Sequence, residues 1–181
     1  MPLVTSRTIK ISTMAAITLG GTPVTTVGEL PATNSKAPDF SLVKVDLSET
    51  SLNDYSDHKV VMNIFPSVDT GTCAQSVRQF NQEAAELPNT KVLCISRDLP
   101  FAQQRFCGAE GIENVEMLSD FRDGKFSKDY GLEFADGAFK GLSSRCVVVL
   151  NETGNIVHTE QVSETADEPN YKAALEALMD A

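Results

Sequence analysis

The chain has 181 residues, 41% of them hydrophobic and 22% charged, a balance that supports one hydrophobic core and a single folded domain. A formal net charge of -10, from 25 acidic against 15 basic side chains, argues against a nucleic-acid footprint, which needs clustered Lys and Arg. No apolar run approaches the roughly 18 residues of a membrane span, so the expectation is a soluble protein without membrane association.

Residues 1–13, MPLVTSRTIKIST, are basic but lack the continuous apolar stretch and small-residue cleavage site of a secretory signal. They read as a disordered extension or an upstream start, with a second Met at position 14, and residues 14–181 as the domain. Ile17-Thr18-Leu19 and Val24-Thr25-Thr26-Val27 flank Gly20-Gly21-Thr22-Pro23, which predicts an N-terminal β-hairpin decorating the core. A strand follows over Phe40 to Val45, then polar loop and turn from Asp46 to Asp57.

Lys59 to Phe65 is a near-continuous apolar run of the kind buried on both faces, and is predicted to be a central strand. After the Pro66 to Thr72 loop, Cys73, Val77, Phe80, Ala84 and Leu87 recur at steps of four and three, which places Cys73 at the start of a helix on its buried side. Lys91 to Ser96 is a second buried strand, and Asp98 and Pro100 read as start signals for a helix running toward Gly108, with Cys107 near its end. A short strand around Val115 to Leu118, a short helix around Phe126 to Tyr130, a hairpin of Arg145 to Leu150 with Asn155 to Val162, and a helix from Pro169 to Met179 complete the chain. This order predicts an α/β thioredoxin-like fold, a central mixed sheet flanked by helices, with the N-terminal hairpin added.

The four cysteines, at 73, 94, 107 and 146, are too few and too scattered for a secreted disulfide framework, so a reducing, cytoplasmic compartment is expected. None forms C-x-x-C, which removes support for a zinc ribbon or a dithiol isomerase. Cys94, inside an apolar strand, reads as core.

Cys73 is placed for nucleophilic chemistry. The reactive species is the thiolate, and a helix N-terminus favours that negative charge. Full ionisation from a starting population of a few per cent adds only about 30-fold, whereas enzymes commonly supply ~10⁶-fold or more. Nucleophilic attack builds charge on the departing atom, so fixed donors and a cation are also needed. Thr70, three residues before Cys73, can bring a hydroxyl and a backbone N–H to the sulfur. Arg145, which leads an apolar strand, is a candidate cation because such an Arg destabilises unless something anionic pairs with it. Each residue alone has an ordinary reading: Cys73 as core, Thr70 as a helix cap, Arg145 as a solvated strand end.

The loop Pro66-x-x-x-Thr70-x-x-Cys73 resembles the peroxidatic motif of peroxiredoxins. PSVDTGTCAQSVRQFN, LCISRDLPFAQQRFCGAEG at 93–111 and LSSRCVVVLNETG at 142–154 are similar to the thiol peroxidase group of atypical two-cysteine peroxiredoxins, over about residues 15–180. The resemblance implies that Cys73 is the peroxidatic cysteine, Cys107 the resolving cysteine of the same chain, Thr70 and Arg145 the activating pair, and Pro66 the shield of the sulfur. It implies hydroperoxide as substrate, organic hydroperoxides included, thioredoxin as reductant and a homodimer, with no prosthetic group, flavin or metal. Val68 and Phe65 near the loop are compatible with alkyl substrates. Cys146 departs from the pattern as an extra thiol beside Arg145, which exposure would open to off-pathway disulfides.

A disulfide needs Cα atoms about 4.4–6.8 Å apart, whereas these two cysteines begin one helix and end another, so one end is expected to unravel in turnover. Two other readings stand beside the enzyme: a redox-regulated sensor using the same disulfide, and a structural thioredoxin-fold protein with incidental thiols.

Overall fold

The computed structural model describes residues 14–181, so the expectation for residues 1–13 lies outside the described residues. Strands β1 (Ala16–Leu19) and β2 (Thr22–Thr25) pair antiparallel in a sheet of their own. Gly20 and Gly21 form a two-residue turn with φ of 58° and 79°, a conformation that calls for glycine. The turn is thus shorter than predicted, and Thr22 and Pro23 belong to the second strand, where Pro is tolerated because the strand is an edge.

The main sheet has seven strands. They are β3 (Ser41–Lys44), β4 (Glu49–Ser51), β5 (Lys59–Ile64), β6 (Thr90–Ser96), β7 (Glu116–Ser119), β8 (Cys146–Leu150) and β9 (Ile156–Gln161), in the spatial order β4-β3-β7-β6-β5-β8-β9. β5, β6 and β7 run parallel, and the other pairings are antiparallel. The predicted central position of the 59–65 run holds, since β5 lies between β6 and β8.

The predicted loop over 46–57 contains β4 and a 3₁₀ turn at Leu52–Tyr55. Ser51 and Asp54 form a capping box there, with the Ser51 N–H donating to Asp54 Oδ2 at 2.7 Å, and Tyr55 is buried. The segment is polar in composition because it is an edge, with Thr50 as its one inward residue.

Helices α1 (Gly71–Ala84) and α2 (Pro100–Glu110) are the parallel crossovers; α3 (Lys125–Asp129) and α4 (Tyr171–Met179) follow. Strand alternation sorts the core into two faces. Val61, Val92, Val147 and Val149 pack with Phe80 of α1 and with Ala174 and Leu178 of α4, and Cys94 and Met117 pack with Cys73 and Val77 of α1 and Phe106 of α2. The opposite face, with Met62, Ile64, Leu93, Ile95, Leu118 and Val148, packs against Phe126 of α3, Tyr130 and Phe40. Both layers that the sequence predicts around a mixed sheet are present.

Candidate active site

The loop that leaves β5 is held from below before it delivers Cys73. Ser67 Oγ donates to Asp98 Oδ1 at 2.6 Å and the Val68 N–H donates to Asp98 Oδ2 at 2.8 Å. Ser96 Oγ also donates to Asp98 Oδ2, at 2.6 Å, and Gln103 of α2 donates to Ser96 Oγ at 3.2 Å. Asp98 was expected to start α2, but the N-cap is Leu99 followed by Pro100, and the carboxylate instead crosses to the Ser67–Val68 turn. Pro can occupy the first helical position without help because its missing N–H would be unpaired there.

Thr70 is the N-cap residue of α1, with φ −110° and ψ 145°. Its N–H and its hydroxyl both donate to the Ser67 carbonyl, at 3.2 and 3.0 Å. Both protons are therefore engaged within the loop in this state, and the hydroxyl oxygen's lone pairs are what the side chain has left to offer. Pro66 is buried at the end of β5.

Cys73 lies in the first turn of α1 and is completely buried. Its Sγ accepts from Arg145 Nη2 at 3.3 Å. Arg145 comes from the residue before β8 and is only 2% exposed; its Nε donates to the Thr165 carbonyl at 3.0 Å, and its Nη1 is buried with no hydrogen-bond partner. A guanidinium stays protonated at any accessible pH, so burying it beside a sulfur is favourable when that sulfur is anionic. The first turn of a helix adds unpaired N–H groups and the positive end of the dipole. Arg145 and Cys73, 72 positions apart in the chain, are thus brought into contact by the fold.

Cys107 lies in the last turns of α2, half-buried against the cluster that contains Cys73, Val68, Phe106 and Ile112. Burial pushes its thiol above the ordinary value. The Cys107 carbonyl receives the N–H of Gly111 and that of Ile112, the latter at 3.1 Å, and Gly111 sits at φ 65° in the left-handed region. That is the Schellman-type close of a helix, with Cys107 as its anchoring carbonyl. Arg78 of α1 pairs with Glu110 at the end of α2, and Arg105 of α2 pairs with Asp69 in the loop before α1. All four cysteines are free thiols.

Two sequence expectations change. Cys146 is next to Arg145 in the chain but projects to the other face of the sheet, into the cluster of Met62, Ile64 and Val148, so it is neither exposed nor in the site. Burial pushes its thiol up to about 12. Val68 and Phe65 are 2% and 0% exposed and form the floor beneath Cys73, not a surface for an alkyl substrate in this state. A buried polar ladder was not anticipated: Asn63 Nδ2 donates to Ser76 Oγ at 3.1 Å, and Ser76 Oγ donates to the Cys73 carbonyl at 2.8 Å. Its signal was present as a single Asn in the apolar run of β5. Cys94, as expected, is core, and its thiol is likewise pushed up to about 12 by burial. Among the described residues no cluster of His, Cys, Asp and Glu is arranged to hold a metal ion.

The Redoxin family model matches residues 32–175, which include Pro66, Thr70, Cys73, Cys107 and Arg145. The chain belongs to the Redoxin family. The thiol peroxidase of Mycobacterium bovis is 55% identical over 165 residues, covering 91% of this chain and 99% of the relative. A peroxiredoxin-like protein from Aquifex aeolicus has the same fold at a TM-score of 0.87 and 34% identity, over 92% of this chain and 98% of that one. The thiol peroxidase of Chromobacterium violaceum superposes at 0.84 with 21% identity, over 91% and 95%, which speaks to the fold. The thioredoxin-like architecture and the resemblance to thiol peroxidases are thus borne out, and this Redoxin-family chain is a peroxiredoxin-like oxidoreductase. No helix among the described residues is long and apolar enough to cross a membrane.

Proposed function

We propose that the protein is a thiol-dependent peroxidase that reduces hydrogen peroxide and organic hydroperoxides through Cys73 and Cys107. The observation that carries this reading is the buried Arg145 Nη2 held 3.3 Å from Cys73 Sγ at the start of a helix. The Cys73 thiolate attacks one peroxide oxygen, the O–O bond breaks, and the other oxygen leaves as hydroxide or alkoxide to be protonated to water or alcohol. Arg145 faces the growing negative charge with one donor, Nη1, that has no other partner. Thr70 steers the loop and offers its hydroxyl oxygen, and Pro66 shields the sulfur.

The sulfenic acid on Cys73 is then attacked by Cys107; water leaves and an intrachain disulfide forms. An external dithiol, for which we propose thioredoxin, returns two electrons and two protons. Sulfur carries both electrons, so the cycle needs no metal or flavin. A homodimer and a cytoplasmic setting belong to the same proposal; Leu99 and Phe101, 51% and 63% exposed at the start of α2, supply apolar surface for a second copy.

Stopped-flow consumption of hydrogen peroxide and cumene hydroperoxide with a thioredoxin system tests the reading. Cys73→Ser is expected to abolish turnover, and Cys107→Ser to permit one oxidation without cycling. Turnover like wild type in both variants would refute the assignment, and sedimentation as a monomer at all concentrations would refute the dimer.

A further inference from the structure

The segment between β9 and α4 contains no regular element, yet three parts of the molecule meet on it. The Thr165 carbonyl accepts from Arg145 Nε at 3.0 Å. One residue earlier, the Glu164 carboxylate closes over the β1–β2 turn: Oε1 accepts from the Gly20 N–H at 2.9 Å, and Oε2 from the Gly21 N–H at 2.9 Å and the Thr18 hydroxyl at 2.7 Å. Oε1 also accepts from the Ala166 N–H at 2.9 Å. The backbones add Thr18 N–H to Ser163 carbonyl and Thr165 N–H to Thr18 carbonyl, both at 2.8 Å. From the other side, Thr72 in the first turn of α1 donates its hydroxyl to the Ala166 carbonyl at 2.9 Å.

The peptide that holds Arg145 is therefore itself fixed at both flanks, by the hairpin before it and by the helix of Cys73 after it. A guanidinium is a rigid planar fork, so an anchor on Nε sets where both terminal nitrogens lie. With Nε on Thr165 and Nη2 on Cys73 Sγ, the plane has no freedom left to turn Nη1 elsewhere. The consecutive positive φ values at Gly20 and Gly21 turn two neighbouring N–H groups to the same side, the concavity that receives an anionic oxygen.

We propose that Glu164 is a positioning residue for the peroxide reaction: by clasping the N-terminal hairpin it fixes the Thr165 carbonyl that aims Arg145 at Cys73. This rests on the reading above in which Arg145 activates Cys73. The hairpin then has a task in catalysis, through a carboxylate that touches neither the sulfur nor the guanidinium. Hydrogen bonds from the Ala166 and Gly21 N–H groups, the Thr18 hydroxyl and the Gly20 N–H hold the Glu164 carboxyl down at about 2, so the clasp is anionic wherever the enzyme would work.

A double-mutant cycle on the full chain separates this role from a structural one. The rate of Cys73 oxidation by hydrogen peroxide is measured in wild type, Glu164→Ala, Arg145→Ala and the double variant, with thermal unfolding as a control. Glu164→Ala is expected to slow oxidation roughly tenfold in wild type, and to slow it less than about twofold once Arg145 is gone, because it acts through that residue. Glu164→Gln, which keeps the shape and part of the acceptor set, should fall between and covers the case where Glu164→Ala does not fold. A wild-type rate in both Glu164 variants, or the same fold-loss in both backgrounds, overturns the inference while leaving Arg145's role intact. A wild-type rate in Arg145→Ala overturns the reading on which it rests.

Discussion

Arg78 of α1 grips Glu110 at the end of α2 through two hydrogen bonds, Nε to Oε2 at 2.7 Å and Nη2 to Oε1 at 3.0 Å. Each helix carries one of the two cysteines of the proposed cycle, so this pair joins the parts that cycle is expected to rearrange. Both side chains are partly exposed, and solvent-exposed pairs of this kind add little to global stability. Glu110→Gln is therefore expected to leave Tm nearly unchanged while speeding conversion of the Cys73 sulfenic acid to the disulfide by roughly two- to fivefold, as less must break for α2 to open. Quenched-flow mass spectrometry reads the step directly, and a slower conversion would contradict it.

Gly111 closes α2 in a left-handed conformation, with open space where a Cβ would go. Gly111→Ala thus tests backbone strain alone, expected to destabilise by about 1–2 kcal/mol in urea unfolding. Since the cap bonds converge on the Cys107 carbonyl, amide exchange over residues 107–112 should accelerate more than exchange in β5. Uniform acceleration would show that the cap does not control Cys107 by itself.

Asp98 braces the loop before Cys73 from the start of the second crossover. In Asp98→Asn an amide NH₂ would confront either the Ser67 hydroxyl, at the Oδ1 position, or the Val68 N–H and the Ser96 hydroxyl, at the Oδ2 position, leaving part-buried donors unmet at about 1–3 kcal/mol. Peroxide oxidation of Cys73 is expected to drop roughly tenfold or more, since small displacements at a reacting centre are costly. A variant of reduced Tm but undiminished rate would restrict Asp98 to stability.

Burial divides the thiols. Cys94 and Cys146, pushed up to about 12, are expected to resist iodoacetamide in the native protein and react only in denaturant, as peptide mapping would show. Cys107 is raised by half-burial, so its neutral form dominates in folded α2 and its thiolate grows as pH rises. Disulfide formation should therefore quicken from about pH 7 to about pH 9, and a flat profile would refute a role for its ionisation.

The Glu164 clasp sets an acid limit. Its folded value of about 2 lies below the ordinary carboxylate value of about 4.3, so its contribution is complete above the ordinary value and is lost as pH falls from there toward 2. Exchange protection at Gly20 and Gly21 is expected to persist at about pH 5 and to decline through that window. The same protection in Glu164→Gln at neutral pH would argue that charge is immaterial to the clasp.

Much of this was legible in the residues. The apolar runs of β5, β6 and β8 and the four- and three-step spacing after Cys73 are local patterns, and local patterns set strands and helices. The motif around Cys73 and the lone Arg at the head of β8 marked both partners of the Arg145–Cys73 contact. The remainder depended on where loops meet. Asp98 looks like a helix start because Asp favours that place, and only the folded chain brings the Ser67 turn within its reach. Cys146 looked close to the site because sequence adjacency hides the strand's alternation, which sends neighbours to opposite faces. Thr165 holds Arg145 by its main-chain carbonyl, which no side-chain pattern can announce.

Cys107 shares its apolar cluster with Phe106, Ile112 and Met117. In the proposed cycle, a movement that carries Cys107 to Cys73 pulls a stitch from that cluster and brings oily side chains toward water. The reduced and disulfide forms would then wear different surfaces, and a reductant could tell the enzyme that needs electrons from the one that does not. Refolding of α2 after reduction would erase the mark and let the reductant go.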